Sequence, residues 1–283
     1  MAEAKTKYWV SGLAFVLIIA VLAAGCTQQP GDSQKTVLKV TGSTTVLPVA
    51  QAAADAFGKD HASADIQITG GGSSVGVQSI GEGTADIGMS SRDLKAEEKT
   101  RYPGLVVTTI ANDGIAVIVH PGNSVSGLTL NELKEIYAGN TTNWKEVGGP
   151  DQVIVVVGRD SASGTREFFS DAVMHKQDFT RMQLEKNSNG AVAQTITQTP
   201  GAIGYVGLGY VDSGGKAVPL VVDGEPVMPT IANVLNKKYP LSRPLIMITR
   251  GAPAGLARDY LDFLLSPPGQ KIVAEEGFVP ITS

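Results

Sequence analysis

The chain has 283 residues, of which 42% are hydrophobic and 6% aromatic, with a formal net charge of −4. That length and apolar share suit a globular protein of two modest domains. A mildly acidic chain with few aromatics and no basic run excludes a general nucleic-acid binder, so attraction for an anion must be local to a site.

The N-terminus reads as an export signal: Lys5 and Lys7 precede an uncharged apolar run over 8–24 that ends in Leu22-Ala23-Ala24-Gly25-Cys26. The run borders on the length of a membrane span, which leaves two readings open. One is cleavage after residue 25 with lipidation of Cys26, as in bacterial-type lipoproteins, although Leu22 stands four residues before the cysteine rather than the usual three. The other is an uncleaved anchor. Either reading puts the folded part outside the cytoplasmic membrane, in the periplasm or on the cell surface, held through its N-terminus. Residues 26–35 form a polar tether of the flexible kind. Loss of residues 1–25 removes two lysines and one glutamate, which leaves the remainder one unit more acidic. Cys26 is the only cysteine, so no intramolecular disulfide forms and stability rests on core burial.

From residue 37 the pattern alternates between strand and helix, which predicts α/β layers with parallel sheets. A strand over 37–40 leads through Thr41-Gly42-Ser43-Thr44-Thr45 into a helix with Pro48 in its first turn and Gly58 as its stop. A second strand over 65–69 ends in Gly70-Gly71-Gly72-Ser73-Ser74, which opens a short helix closing at Gly81. A third over 85–89 ends in Ser90-Ser91-Arg92-Asp93, before a charged helix over 94–100. Residues 106–119 hold strand-like runs broken by Asn112-Asp113-Gly114, a first crossing into a second domain. A helix over 128–137 is entered by Thr129, and Trp144 packs under the loop that follows.

The continuous apolar run 153–157 reads as a buried strand. After it, Gly158-Arg159-Asp160-Ser161-Ala162-Ser163-Gly164-Thr165 delivers Ser163, Gly164 and Thr165 to the start of a helix over 166–174. Unpaired backbone N–H groups and the positive dipole end favour an anion there. Gly164 permits close backbone approach, and Arg159 supplies a planar fork matched to an oxyanion. Taken alone, this loop reads equally well as an ordinary serine cap beside a surface arginine. It is, however, the fourth strand end in the chain built of small hydroxyl and glycine residues, and ligands of open α/β sheets bind beyond such ends. Further on come a helix over 188–196, a glycine-interrupted strand over 201–207, strand and turn over 219–229, a short helix over 231–237, a last strand over 245–249, and closing helices over 256–265 and 269–276.

Gly42-Ser43-Thr44-Thr45-Val46-Leu47-Pro48, Gly71-Gly72-Ser73-Ser74-Val75-Gly76, Asp86-Ile87-Gly88-Met89-Ser90-Ser91-Arg92 and Arg159 with Ser163-Gly164-Thr165 together resemble the phosphate-binding proteins (PstS) of phosphate ABC importers. The closing stretch, Tyr260-Leu261-Asp262-Phe263-Leu264-Leu265-Ser266-Pro267-Pro268-Gly269-Gln270 with Glu276-Gly277-Phe278-Val279-Pro280, is similar to the tail of that family. The resemblance covers 36–283. It implies a type II periplasmic-binding-protein fold, with two α/β lobes joined by two hinge-crossing strands and the ligand in the cleft between them. Lobe I is then 36–111 with 238–283, and lobe II is 112–237. It further implies that Thr44, Thr45, Val46, Ser73 and Ser91 contribute donors from the first lobe. Arg159, Ser163, Gly164 and Thr165 contribute them from the second. The partners it implies are inorganic phosphate and the permease subunits of an importer. A monomer is expected, with no cofactor and no metal.

Several relatives in this family carry an aspartate where Ser91 falls, and it accepts the proton of hydrogen phosphate, while others carry a Ser-Arg pair as this chain does. A serine donates or accepts. These residues therefore leave sulfate, arsenate and molybdate open as ligands beside phosphate. Arg92 is either a second charge at the anion or the partner of Asp93. A sensor would use the same site as a transport receptor. A serine hydrolase is the remaining alternative, because Gly72-Ser73-Ser74-Val75-Gly76 fits a nucleophile elbow. It needs a base, and His120 and His175 both sit in surface-type sequence. One thiol and three scattered histidines offer no metal-ligand spacing.

Overall fold

The computed structural model describes residues 35–281. The leader, Cys26 and the tether as far as residue 34 lie outside the described residues.

The first half of the fold runs β1 (Thr36–Gly42), α1 (Leu47–Asp60), β2 (Ala64–Gly70), α2 (Ser73–Glu82), β3 (Ile87–Ser90) and α3 (Ala96–Arg101). The long β4 (Leu105–Val119) leads out of it. The second half holds α4 (Leu130–Ala138), β5 (Val155–Arg159), α5 (Gly164–Ala172), β6 (Leu184–Lys186), α6 (Asn189–Gln198) and β7 (Ala202–Gly207). It continues through β8 (Lys216–Val218), the hairpin of β9 (Leu220–Val222) and β10 (Glu225–Val227), and α7 (Ile231–Leu235). The chain then returns along β11 (Ser242–Arg250) to α8 (Gly255–Leu265) and α9 (Pro267–Glu275).

The sheet order is β2-β1-β3-β11-β4-β7-β5-β6, with β8 also on β4. β1 runs parallel to β2 and β3, and β5 parallel to β6 and β7. Only these outer groups match the parallel expectation. The central pair β4 and β11 is antiparallel, because one strand carries the chain into the second half and the other carries it back. β4 pairs with β11 over Leu105–Gly114 and with β7 over Ile115–Val119, so one unbroken strand belongs to both halves. The expected break at Asn112-Asp113-Gly114 is absent. Asp113 remains in the strand because its carboxylate accepts from Arg243 and from the Leu208 N–H.

Each half is a sheet covered on both faces, which explains the unbroken apolar runs in its strands. In the second half Ile115, Val117 and Val119 face Leu133, Tyr137, Trp144 and Phe169. The alternate residues Ala116 and Ile118 face Val192 and Ile196 of α6. In the first half Val40, Met89 and Met247 pack on Val49, Phe57, Leu264 and Val273, while Ile246 and Ile248 meet Val77, Ile80 and Leu94. Tyr239, Leu241 and Val279 pack into the core of the second half.

Several boundaries move from their sequence expectation. Val153 is 67% exposed and β5 begins only at Val155, so the first residue of the apolar run is approach, while Ile154 is already core. α1 passes through Gly58, where a side chain would meet nothing, and is closed by His61. The His61 ring stacks 3.7 Å from Phe57, and its Nδ1 donates to the Phe57 carbonyl. α2 passes Gly81 and ends at Gly83, whose φ of 75° places its N–H on the Ile80 carbonyl.

Gly42 ends β1 at φ 141°, and a Cβ there would run into the Met89 carbonyl and lie 2.9 Å from Gly76 Cα. The strand can turn into α1 at this depth only without a side chain. Gly42→Ala is expected to cost about 3 kcal/mol through backbone strain and overpacking. For a chain of this size that is a fall of roughly 10 °C in Tm, checked by circular-dichroism melting.

Candidate functional site

α1, α2, α5 and α6 each begin just beyond the end of a parallel strand, and their first turns meet between the two halves. Thr45 Oγ1 lies 3.1 Å from Thr165 Oγ1, which joins the start of α1 to the start of α5. Asn189 Nδ2, at the start of α6, donates to Thr44 Oγ1 at 3.2 Å and Thr45 Oγ1 at 3.0 Å. Ser73 Oγ, opening α2, accepts from the Ser91 N–H at 3.0 Å and lies 3.3 Å from Ser91 Oγ. A Cβ on Gly164 would run into Ser73 Oγ and come within 3.0 Å of Ser91 Oγ, so α5 touches α2 and the end of β3 as well. Helix starts leave N–H groups without intrahelical acceptors. In α5 the Ser163 hydroxyl takes the Arg166 N–H at 3.2 Å, which leaves the Gly164 and Thr165 amides at the uncommitted first and second positions.

Two guanidinium groups lie among these turns. Arg159 at the end of β5 is 1% exposed. It donates from Nε to the Lys186 carbonyl and from Nη2 to Thr44 Oγ1 and the Asn187 carbonyl. Arg243 on β11 forks onto Asp113 Oδ2 from Nε at 3.0 Å and Nη2 at 2.8 Å, and its Nη2 also reaches Thr165 Oγ1 at 2.9 Å and Thr45 Oγ1 at 3.4 Å. Each arginine has a buried Nη1 with no acceptor. Burial lowers the pKa of both guanidinium groups, and the charge of Arg243 lowers Arg159 further. Burial likewise pushes the Asp113 carboxyl up, and the Arg243 fork and the Leu208 N–H offset this only in part. Of these two buried cations only Arg243 has a buried carboxylate partner, and four helix N-termini lie around them. Such a cluster attracts a compact anion.

The halves also touch outside this cluster. The Ser74 N–H donates to the Ala162 carbonyl at 3.1 Å, and the Tyr210 hydroxyl donates to the Thr44 carbonyl at 2.7 Å. Glu167 of α5 pairs with Arg92 at 2.8 Å and Lys95 at 3.0 Å. Arg92 also forks onto Glu98 at 2.7 and 2.8 Å. Burial alone would lower Arg92 and raise Glu98, but the ion pair outweighs it, so Arg92 ends above its ordinary value and Glu98 below. Arg92 therefore serves neither role expected of it. Its charge goes to Glu98 and Glu167, and it meets Asp93 only at the carbonyl. Ser74 Oγ, the nucleophile of the hydrolase alternative, accepts from Arg92 Nη2 at 3.2 Å. Of the two bases named for that alternative, His120 has its ring nitrogen on the Gly122 N–H and His175 is exposed beyond the end of α5.

The structure thus brings Thr44, Thr45, Ser73, Ser91, Arg159, Gly164 and Thr165 together. Ser163 is there as the cap of α5. Val46 has its side chain in the core of the first half, so only its backbone faces the question of binding. Asn189, Arg243, Asp113 and Tyr210 were not anticipated. Asn189 follows the same strand-to-helix rule as the other loops, one step further along the chain. Arg243 is a lone charge beside the apolar run 245–248, and a buried charge demands a partner.

These features define a two-lobed solute-binding protein of the type II periplasmic-binding-protein fold, and a family profile described as "PBP superfamily domain" matches residues 27–268. The chain is 38% identical over 248 residues to the phosphate-binding protein PstS of Bacillus subtilis, spanning 87% of this chain and 81% of that one. A crystal structure with bound phosphate from Clostridium perfringens superposes with a TM-score of 0.82 at 40% identity, covering 87% of this chain and all of the other. An ABC-type phosphate transport receptor from Vibrio cholerae gives 0.69 at 32% identity, over 86% and 99%. The chain belongs to the PstS family of phosphate-binding proteins.

Removing one member of a buried ion pair leaves the other charge uncompensated, whereas replacing both with apolar groups is often near neutral. Asp113→Asn should therefore lower unfolding free energy by about 3–5 kcal/mol, and Asp113→Leu with Arg243→Met by markedly less. Urea titration of the three proteins checks this.

Proposed function

We propose that this chain captures inorganic phosphate between its two halves and delivers it to the membrane permease of an ABC importer. The observation that carries the reading is the pair of buried guanidinium groups, Arg159 and Arg243, of which Arg243 alone is paired with a buried carboxylate, with an unpartnered Nη1 on each. A tetrahedral oxyanion supplies both the missing charge and the missing acceptors. The donors assigned to it are the hydroxyls or amides of Thr44, Thr45, Val46, Ser73 and Ser91 on lobe I. Arg159, Ser163, Gly164 and Thr165 are assigned on lobe II. The phosphate in the Clostridium perfringens structure and the names of the PstS relatives support the choice of ligand.

No bond of the ligand is made or broken in this role, so no enzymatic activity is assigned. Charge-assisted hydrogen bonds are worth about 1.5–3 kcal/mol each. A set of them, less dehydration of a dianion and the ordering of two lobes, leaves roughly the −8 kcal/mol of micromolar binding. Because donors come from 36–111 with 238–283 on one side and 112–237 on the other, the anion favours the closed arrangement over an open one. Lipidation at Cys26 would keep the receptor, acting as a monomer, at the outer face of the membrane beside its permease.

The test is calorimetric titration of the ligand-stripped protein with phosphate, sulfate and molybdate, alongside small-angle scattering. Phosphate is expected to bind at micromolar Kd or tighter and to compact the protein, and Arg159→Ala to weaken it at least 100-fold, a loss of about 2.7 kcal/mol. Preference for sulfate or molybdate would replace the ligand and keep the mechanism. Absence of binding to all three would refute the reading.

A further inference from the structure

Glu167 lies on α5 one turn beyond Gly164, and its carboxylate reaches across to the first half. Its Oε2 is 2.8 Å from Arg92 Nε and 3.0 Å from Lys95 Nζ. Arg92 is 5% exposed, and its two terminal nitrogens are engaged within the first half. They fork onto Glu98 and also reach the Asp93 carbonyl and Ser74 Oγ. The buried Nε has no aligned hydrogen bond, so Glu167 meets it as charge on charge. The other charged groups around this contact are Glu97 beside Glu98, and Arg166, which turns away to Glu185. Without Glu167, the charges of Arg92, Lys95, Glu97 and Glu98 balance. If the halves part, Arg92 keeps its Glu98 fork, and the partly exposed Glu167 and Lys95 are taken up by water. No buried charge is stranded, whereas parting Asp113 from Arg243 would strand two. The Glu167 contact is therefore built to break.

We infer that Glu167 is a latch, a residue that touches no ligand atom but holds the two halves shut and so sets how long a captured anion stays. This rests on the phosphate-binding reading and adds a rate to it. Beside the latch the halves meet backbone to backbone. The Ser74 N–H donates to the Ala162 carbonyl at 3.1 Å, and a Cβ on Gly72 would stand 2.5 Å from the same oxygen. An anion behind this seam leaves only after the halves part, and parting breaks both Glu167 contacts. The sign of the effect separates a latch from a bystander charge. A carboxylate one helical turn from the anion repels it, so removing a mere bystander would slow release. Removing a latch speeds it.

The experiment loads the full-length protein in detergent with inorganic phosphate and follows its release by stopped flow, with a fluorescent reporter trapping free phosphate. The native chain is compared with Glu167→Gln, Lys95→Met and the double variant. Glu167→Gln is expected to release phosphate about fivefold faster, equivalent to about 1 kcal/mol. Lys95→Met should give about twofold, and the double variant no more than Glu167→Gln alone, because Lys95 acts through Glu167. A general loosening of the fold would instead make the two single effects multiply. Unchanged or slower release in Glu167→Gln, or multiplying factors in the double variant, would overturn the inference. Should Glu167→Gln not fold, Lys95→Met carries the test, and unchanged release there overturns it equally. Failure of the native chain to load phosphate would refute the binding reading itself.

Discussion

The constraint on which this structure turns is the burial of two guanidinium groups against a single carboxylate. Arg159 and Arg243 are each almost wholly removed from solvent, and Asp113 neutralises only one of them. A buried charge without a partner is among the costliest features a fold can carry. What surrounds the surplus charge is the positive end of four helices, which adds to the field rather than relieving it. The architecture makes sense as a receptacle that is electrostatically incomplete by itself and completed by an anion.

The fold supplies the means to build such a receptacle in two pieces. β4 belongs to both halves, and β11 runs back beside it, so Asp113 and Arg243 sit on the two crossing strands themselves. The ion pair is thus fixed where the halves join, while Arg159 and the α5 turn belong wholly to the second half and the α1 and α2 turns to the first. Glycines set the spacing between the pieces. Gly164 faces Ser73, and a Cβ on Gly72 would stand 2.5 Å from the Ala162 carbonyl, so backbone meets backbone where side chains would hold the halves apart.

Much of this could be read in the sequence, for reasons that particular residues make plain. Strand ends rich in Ser, Thr and Gly announced the helix starts, and Thr129 and Ser163 cap the helices they precede. Short-range rules of this kind depend on residues a few positions apart. The parts that were illegible depend on long-range pairing. Asn112-Asp113-Gly114 carries a strong local turn signal, yet it lies inside a strand because Arg243, 130 positions away, neutralises Asp113. Arg92 offered two local roles and took a third, since Glu167 reaches it from the other half. Asn189 escaped notice because amide side chains are common at helix starts, and its importance lies in what Gly207 does to its orientation.

The pairing of Glu167 with Arg92 and Lys95 has a consequence of its own. The central ion pair is sealed from water, and added electrolyte reaches it poorly. Glu167 and Lys95, by contrast, are each about a third exposed, with side-chain accessibilities of 29% and 34%. Interactions between wetted charges are damped over a Debye length of about 8 Å at physiological ionic strength and less in brine. The molecule thus has two electrostatic tiers that answer differently to its surroundings. An outward-facing protein meets whatever salinity its habitat imposes. Rising salinity would weaken the contacts of Glu167 across the two halves, while the buried pair of Asp113 and Arg243 is screened far less.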